Sequence, residues 1–267
     1  MKVGERLARG QVGEFRDRGY LVVRGLFGHD EVNELLDTFM EMHAGGTIPG
    51  CFEPSGSEAS DDPLALYPRM MHPHRFNETA LRYLLDERLG AVLADLFGEE
   101  PLAAQSMMYF KPAGAKGQAL HQDNFFLKVE PGTCIAAWVA LDRADEGNGG
   151  LEVVPGTHDM DVFCPEEADS DVSFTRDYVP VPEGLEAVPV VMEPGDVLFF
   201  NGQLVHGSQP NRTRDHFRRS FICHYIGRSS DRISKFYRPI LTMEGEEVRI
   251  EESVGGGPCG TEDVGVH

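Results

Sequence analysis

Residues 194–211 read PGDVLFFNGQLVHGSQPN, and the fold of the chain turns on how that stretch is understood. Pro194, Gly195 and Asp196 make a turn. Val197–Phe200 is an apolar run too short for a helix and bounded by turn residues, so it reads as a buried strand. A second short apolar approach, Leu204 and Val205, ends in His206 at a strand end, beside Gly207, where a missing side chain permits close approach by a ligand. The same texture extends outward through short β-like runs at Ser106–Phe110, Phe125–Val129, Cys134–Leu141, Leu151–Val154, Val188–Met192 and Arg219–Ile226, with Pro-Gly pairs beginning at 131, 155 and 194. Many short strands separated by turn signals predict a sandwich or jelly roll.

The first hundred residues differ in pattern. A helix-compatible segment near 10–18 leads into a short strand at Tyr20–Val23, and Asp30 is placed to cap a helix through about His43, with Leu35, Leu36, Phe39 and Met40 on one face. Gly, Pro, Ser and Asp dominate 44–77, which predicts a long loop with a lid function. A second helix is expected over 78–97, its apolar face running from Leu81 to Leu96. The expected organisation is a single domain, 1–267: a helical N-terminal part with the lid loop, a β core over 101–228 interrupted by an acidic insertion at 159–187, and a C-terminal extension over 229–267.

The bulk chemistry narrows the partners. The chain is 41% hydrophobic and 25% charged, which supports a full core, while a formal net charge of −20 repels polyanions and argues against nucleic acid. Eight of the 24 basic residues nevertheless fall between Arg212 and Arg238, which leaves small anions open as ligands. No apolar stretch is long enough for a membrane span, and the N-terminus lacks a secretory apolar core, so no membrane partner and a cytoplasmic location are expected. Five cysteines at irregular spacing give neither a disulfide framework nor a zinc pattern, and reduced thiols are the plain expectation.

Metal chemistry enters with His121 and Asp123. On a strand the side-chain period of two puts both on one face and turns Gln122 away. One imidazole and one carboxylate are two corners of the two-histidine, one-carboxylate triad of non-haem iron(II) oxygenases, and His206 is available as the third. A lone His-x-Asp is more often a surface pair, so the weight rests on context. Arg218 and Arg219 lie in an otherwise apolar strand; an arginine buried there needs an anion, and strand alternation lets only one of them point inward.

Other residues have plainer readings. His158 fits a turn, His72 and His74 a surface or lid position, His224 a core histidine sharing strand parity with Arg218, and Trp138 on its own is core packing. The acidic run Glu166–Asp171 reads as a solvated loop face.

Taken in order, HQD at 121–123, AAWVALD at 136–142, EGNGGLEVVPGTH at 146–158, GDVLFF at 195–200 and HGS at 206–208 with a downstream arginine resemble the phytanoyl-CoA dioxygenase family. The opening EFRDRGYLVV at 14–23 is also similar to that family's N-terminal segment. The resemblance implies a mainly β double-stranded β-helix (jelly roll, cupin-like) with flanking helices. It also implies iron(II), with 2-oxoglutarate and dioxygen as co-substrates. It makes His121, Asp123 and His206 the metal ligands and favours Arg218 over Arg219 for the distal carboxylate of 2-oxoglutarate. Ser208 stands beside that arginine, and Trp138 and Met107 line the co-substrate pocket. A further basic contact found in some relatives would fall near Arg69, His72 and His74, without selecting among them.

Relatives of this kind hydroxylate or oxidatively cyclise small molecules, and an enzyme of natural-product biosynthesis with a sugar or aminoglycoside-type substrate is the leading expectation. An acyl-CoA or other anionic substrate is the alternative. A non-catalytic jelly-roll binder would be expected to lack a ligand or the arginine, and neither is missing from the sequence. The sequence leaves oligomeric state open.

Overall fold

The computed structural model describes residues 6–55, 62–254 and 259. Helix α1 (Arg9–Arg18) ends at Gly19, whose left-handed backbone turns the chain into β1 (Tyr20–Val23). Helix α2 (His29–Ala44) starts two residues earlier than expected, with Gly28 at its cap position. Asp30 sits in its first turn instead of capping it, and Glu31 reaches back to accept the Gly28 N–H at 2.7 Å.

The segment expected as a lid loop carries a short helix α3 (Pro63–Leu66), capped by Asp62, and a two-residue strand β2 (Met70–Met71). Residues 56–61 of that segment lie outside the described residues. The single helix expected over 78–97 is two, α4 (Glu78–Leu84) and α5 (Glu87–Phe97). Asp86 makes the break: its carboxylate accepts the Arg88 N–H and caps a new helix, a local signal that the continuous apolar face conceals.

The β core follows: β3 (Pro101–Tyr109), β4 (Gln118–His121), β5 (Cys134–Ala140), β6 (Leu151–Val153), a small insertion hairpin of β7 (Glu166–Glu167) and β8 (Asp177–Tyr178), then β9 (Val188–Pro189), β10 (Val197–Asn201), β11 (His206–Ser208) and β12 (Ser220–Gly227). The run from Phe125 to Val129 is not a strand. Asp123–Leu127 forms a one-turn helix, α6, that packs Phe125, Phe126 and Leu127 against Cys134, Ile226 and Tyr237 and ends at Lys128 in the left-handed region. A five-residue apolar run has no period long enough to separate strand from helix. The strand expected at Val188–Met192 is shortened to its first two residues. Beyond β12 the C-terminal stretch adds β13 (Arg232–Ile233), β14 (Ile240–Leu241), β15 (Glu247–Val248) and β16 (Glu251–Glu252).

Two sheets make the double-stranded β-helix. The larger runs β1-β10-β5-β12-β3-β14-β15, with β2 also on β3, and the smaller runs β4-β11-β6-β9. Every pairing within these two sheets is antiparallel. Met107, Trp138, Leu198 and Ile222 of the larger sheet face Leu151 and Val153 of the smaller in one core cluster. The opposite face of the larger sheet is covered by the N-terminal helices, where Phe39 of α2 meets Phe221 of β12 with ring centroids 5.3 Å apart.

The cysteines depart from expectation. Cys164, in the insertion, and Cys259 form a disulfide with Cα atoms 5.4 Å apart, while Cys51, Cys134 and Cys223 are free thiols. The pair is 95 residues apart in sequence, so only the fold brings it together.

Phe221 is fully buried at the seam between helices and sheet. Phe221→Ala is expected to lower unfolding stability by about 3–5 kcal/mol, read as a shift in the urea midpoint with an unchanged slope.

Candidate metal centre

Two side chains on neighbouring strands of the small sheet and one from the helix that follows β4 turn into one point. His206 opens β11 and is the register partner of His121 at the end of β4. Gly207 lets the strands come this close, because a Cβ there would lie 2.8 Å from the Gln118 carbonyl oxygen and 3.0 Å from the Leu120 nitrogen. Asp123 arrives by a route the strand reading did not foresee. The strand ends at His121, Gln122 turns outward to bond the Gln203 carbonyl and the Phe163 N–H, and Asp123 points inward from the first turn of α6.

Asp123 Oδ1 lies 3.5 Å from Nε2 of His121 and 3.5 Å from Nε2 of His206. One ligand atom from each of the three falls within 4.8 Å of the others, and all three residues are buried. Each imidazole is oriented by its other nitrogen: His121 Nδ1 donates to the Ala119 carbonyl at 2.8 Å and His206 Nδ1 to the Leu204 carbonyl at 2.9 Å. That leaves both Nε2 lone pairs aimed at the shared centre, the tautomer a metal requires. Burial holds the His206 imidazole neutral, moving its pKa down to about 4 against the opposing pull of Asp123. His224 fixes the carboxylate from behind, with its Nε2 2.9 Å from Asp123 Oδ2. Two oriented imidazoles and one oriented carboxylate are a donor set suited to a divalent transition metal.

A cavity of about 340 Å³, open mouth included, runs from Asp123 and His206 between Met107, Trp138 and Ile222 to Ser208 and Arg218. Arg218 is only 2% exposed, stacks 5.3 Å over the Trp138 ring and donates to the Gly149 carbonyl and the Ser220 hydroxyl. Desolvation lowers its pKa to about 10, which leaves it charged at neutral pH. Arg219 points the other way and bonds the Asp142 carboxylate through both Nε and Nη2. Ser208 Oγ accepts from the Lys111 ammonium at 2.8 Å, and that ammonium also donates to the Gly149 and Gln209 carbonyls. Among the described residues, neither Arg218 nor Lys111 has a carboxylate within ion-pair distance.

The other histidines sort as follows. His158 sits in a turn and bonds the Arg16 carbonyl. His72 and His74 are buried, not at the surface, and are not among the three side chains that gather at the metal point; His74 Nδ1 meets Ser106 Oγ at 2.6 Å. Lys111 and Gln118 went unread in the sequence. Lys111 carries one usable signal, a lysine closing an apolar strand before proline, whereas nothing local marks Gln118, whose amide nitrogen lies 3.1 Å from His121 Nε2.

A family model described as Phytanoyl-CoA dioxygenase (PhyH) matches residues 15–220. The chain belongs to the phytanoyl-CoA dioxygenase family. Among members of that family, the peroxisomal phytanoyl-CoA dioxygenase of Rattus norvegicus is 27% identical over 228 residues, covering 79% of this chain and 66% of the rat protein. The chain therefore spans just under two thirds of that relative's length. Of solved structures, the non-heme alpha ketoglutarate dependent carbocyclase SnoK from nogalamycin biosynthesis superposes with a TM-score of 0.68 at 20% identity, covering 84% of this chain and 86% of that one. The epimerase SnoN, in complex with Fe3+, alpha ketoglutarate and nogalamycin RO, gives 0.67 at 22% identity, covering 93% and 95%. At such identities the likeness speaks for the fold, which agrees with the jelly roll read from the sequence.

Two expectations follow for this family member. His224→Leu is expected to weaken Fe(II) binding about 10- to 100-fold under anaerobic titration, and His224→Gln, which keeps a donor, to recover part of the loss; equal affinity in all three proteins would remove His224 from the site. Burial depresses the pKa of His72 and His74 to about 3. Their neutral forms impose no penalty above the unfolded pKa near 6.5, and stability is lost as pH falls from there towards 3. Between pH 7.5 and 5, the metal-free protein should therefore lose more thermal stability than a His72→Asn/His74→Asn variant.

Proposed function

We propose that this chain is an iron(II)- and 2-oxoglutarate-dependent dioxygenase acting on a small molecule. One observation carries the reading: a cavity lined at one end by Asp123 and His206, whose ligand atoms gather with that of His121, holds at its other end a buried arginine with no acid partner among the described residues. His121, Asp123 and His206 would hold the metal through Nε2, Oδ1 and Nε2. Arg218 would take the distal carboxylate of 2-oxoglutarate with Ser208 beside it, while Trp138 and Met107 wall the pocket. Bound there, the metal and keto acid would, with dioxygen as oxidant, supply decarboxylation of 2-oxoglutarate to succinate and carbon dioxide coupled to the oxidation of a substrate carbon.

The protein's own part is positional and electrostatic. The Nδ1 bonds to Ala119 and Leu204 keep both imidazoles aimed; His224 steadies the carboxylate; Trp138, Met107 and Ile222 exclude water. A buried cation is costly without a counter-charge, so the Arg218 end of the cavity favours an anionic ligand over water. Arg219, already satisfied by Asp142, gains nothing from one.

A substrate from natural-product biosynthesis, such as a sugar or aminoglycoside-type molecule, is favoured over an acyl-CoA. The support is the fold shared with a carbocyclase and an epimerase of nogalamycin biosynthesis, together with a net charge of −20 that disfavours polyanionic thioesters. The same charge disfavours nucleic acid, and among the described residues no helix is long and apolar enough to cross a membrane.

His121→Ala and Asp123→Ala are each expected to abolish succinate release from 2-oxoglutarate with the circular dichroism spectrum retained. Arg218→Ala should raise the KM for 2-oxoglutarate at least tenfold, whereas Arg219→Ala should leave it within about threefold. A larger effect at Arg219 would overturn the assignment of the arginine.

A further inference from the structure

A second cavity of about 550 Å³, open mouth included, abuts the first at its Arg218 end. Tyr109 and Arg218 line both. Tyr67 and Arg69 of the segment before β2 close one side, and Lys116 and Phe174 close the other. Arg69 donates to the Tyr109 hydroxyl at 3.1 Å, with its guanidinium 5.4 Å from the Phe174 ring centre. Lys116 donates to the Ser170 carbonyl.

The charge here runs against the rest of the molecule. A chain with 44 acidic and 24 basic residues places Arg69, Lys111, Lys116 and Arg218 around this space and no carboxylate among the lining side chains. Among the described residues none of the four forms an ion pair. Arg218 spends Nε and Nη1 on Gly149 and Ser220, which leaves Nη2 for an acceptor from the cavities. Clustered cations in partly desolvated space repel one another and favour an anion that can bridge them.

We propose that this cavity is a second anion site, taking small dicarboxylates: 2-oxoglutarate before it reaches the metal pocket and succinate after it leaves. The inference rests on the metal pocket being the 2-oxoglutarate site. Its size accommodates a four- or five-carbon diacid, and Arg218, in the wall of both spaces, offers a carboxylate the same counter-charge from either side. The aromatic faces of Tyr67 and Phe174 give the methylene chain apolar cover. Arg69, bonded to Tyr109, stands at the neck.

The test uses the full chain loaded with Ni(II) and one equivalent of 2-oxoglutarate, which the metal and Arg218 hold in the first pocket without turnover, with labelled succinate as probe in equilibrium dialysis. About one further succinate per chain is expected, weakened at least tenfold by Arg69→Gln and by Lys116→Glu, while Lys116→Glu leaves Ni(II)-dependent 2-oxoglutarate binding within about threefold. No succinate bound to the loaded protein, or binding indifferent to both substitutions, overturns the proposal. Absence of Ni(II)-dependent 2-oxoglutarate binding in the unsubstituted protein would instead count against the metal-pocket reading. In that event, succinate binding to the metal-free chain that still depends on Arg69 and Lys116 would uphold the second site.

Discussion

His121 and His206 face each other across one antiparallel register between β4 and β11, and the rest of the site depends on that register. A slip of one residue would send both imidazoles to the other side of the small sheet and bring Leu120 or Gly207 to the centre. Several features pin it. Gly207 admits the close approach of β4, β11 is held on its other edge by β6, and the Gln122 side chain is tied to Gln203 and Phe163, which stops β4 from sliding past the point where α6 begins. The jelly roll is thus a means of placing two rings and a carboxylate to within hydrogen-bond tolerances from segments about eighty residues apart.

At the other end of the cavity the constraint is charge. Lys111 and Arg218 are both buried, and both use the Gly149 carbonyl as a common acceptor. Gly149 has φ +73°, and a Cβ there would lie 2.4 Å from the Gln209 oxygen, so only glycine lets the loop deliver its carbonyl to both cations. Burial and the repulsion of Arg218 push the Lys111 pKa well down, which makes Lys111 a weaker competitor than Arg218 for an incoming carboxylate. Its donors are instead spent joining Ser208, Gln209 and Gly149. Lys111 shapes the anion end and Arg218 supplies its charge.

Much of this was legible because the chemistry sits on short, regular elements. Alternation allowed only one of Arg218 and Arg219 to point inward and the family resemblance favoured Arg218; the structure starts β12 after both, at Ser220, yet turns them apart, one buried over Trp138 and the other clamped by Asp142. What failed was local competition that periodicity does not register. Asp86 looks like one polar residue on a continuous helix and is a cap that splits it. Phe125 to Val129 looks like a strand because four apolar residues in five fit either period, and tertiary packing against Tyr237 and Ile226 chose the helix. His72 and His74 flank a proline in a loop-like context, yet burial against Ser106 removes them from the surface. The Cys164–Cys259 pairing joins an insertion to the C-terminal stretch, a contact no spacing rule reaches.

The division between strand-borne chemistry and loop-borne enclosure also suggests where selectivity resides. His121, His206, Met107, Trp138 and Ser208 lie on strands, and Asp123 and Arg218 directly adjoin strands, so their geometry is fixed by sheet pairing that costs many hydrogen bonds to alter. Tyr67, Arg69, Lys116 and Phe174 come instead from the segment before β2, the turn before β4 and the acidic insertion, where packing is lighter and single substitutions rearrange a wall without disturbing the register. Gly117 pairs with Ser173, so the insertion and the approach to β4 are bonded to each other and not to the large sheet. A change of ligand at the mouth can therefore be made in these segments while the inward-facing trio stays where the β4–β11 pairing puts it.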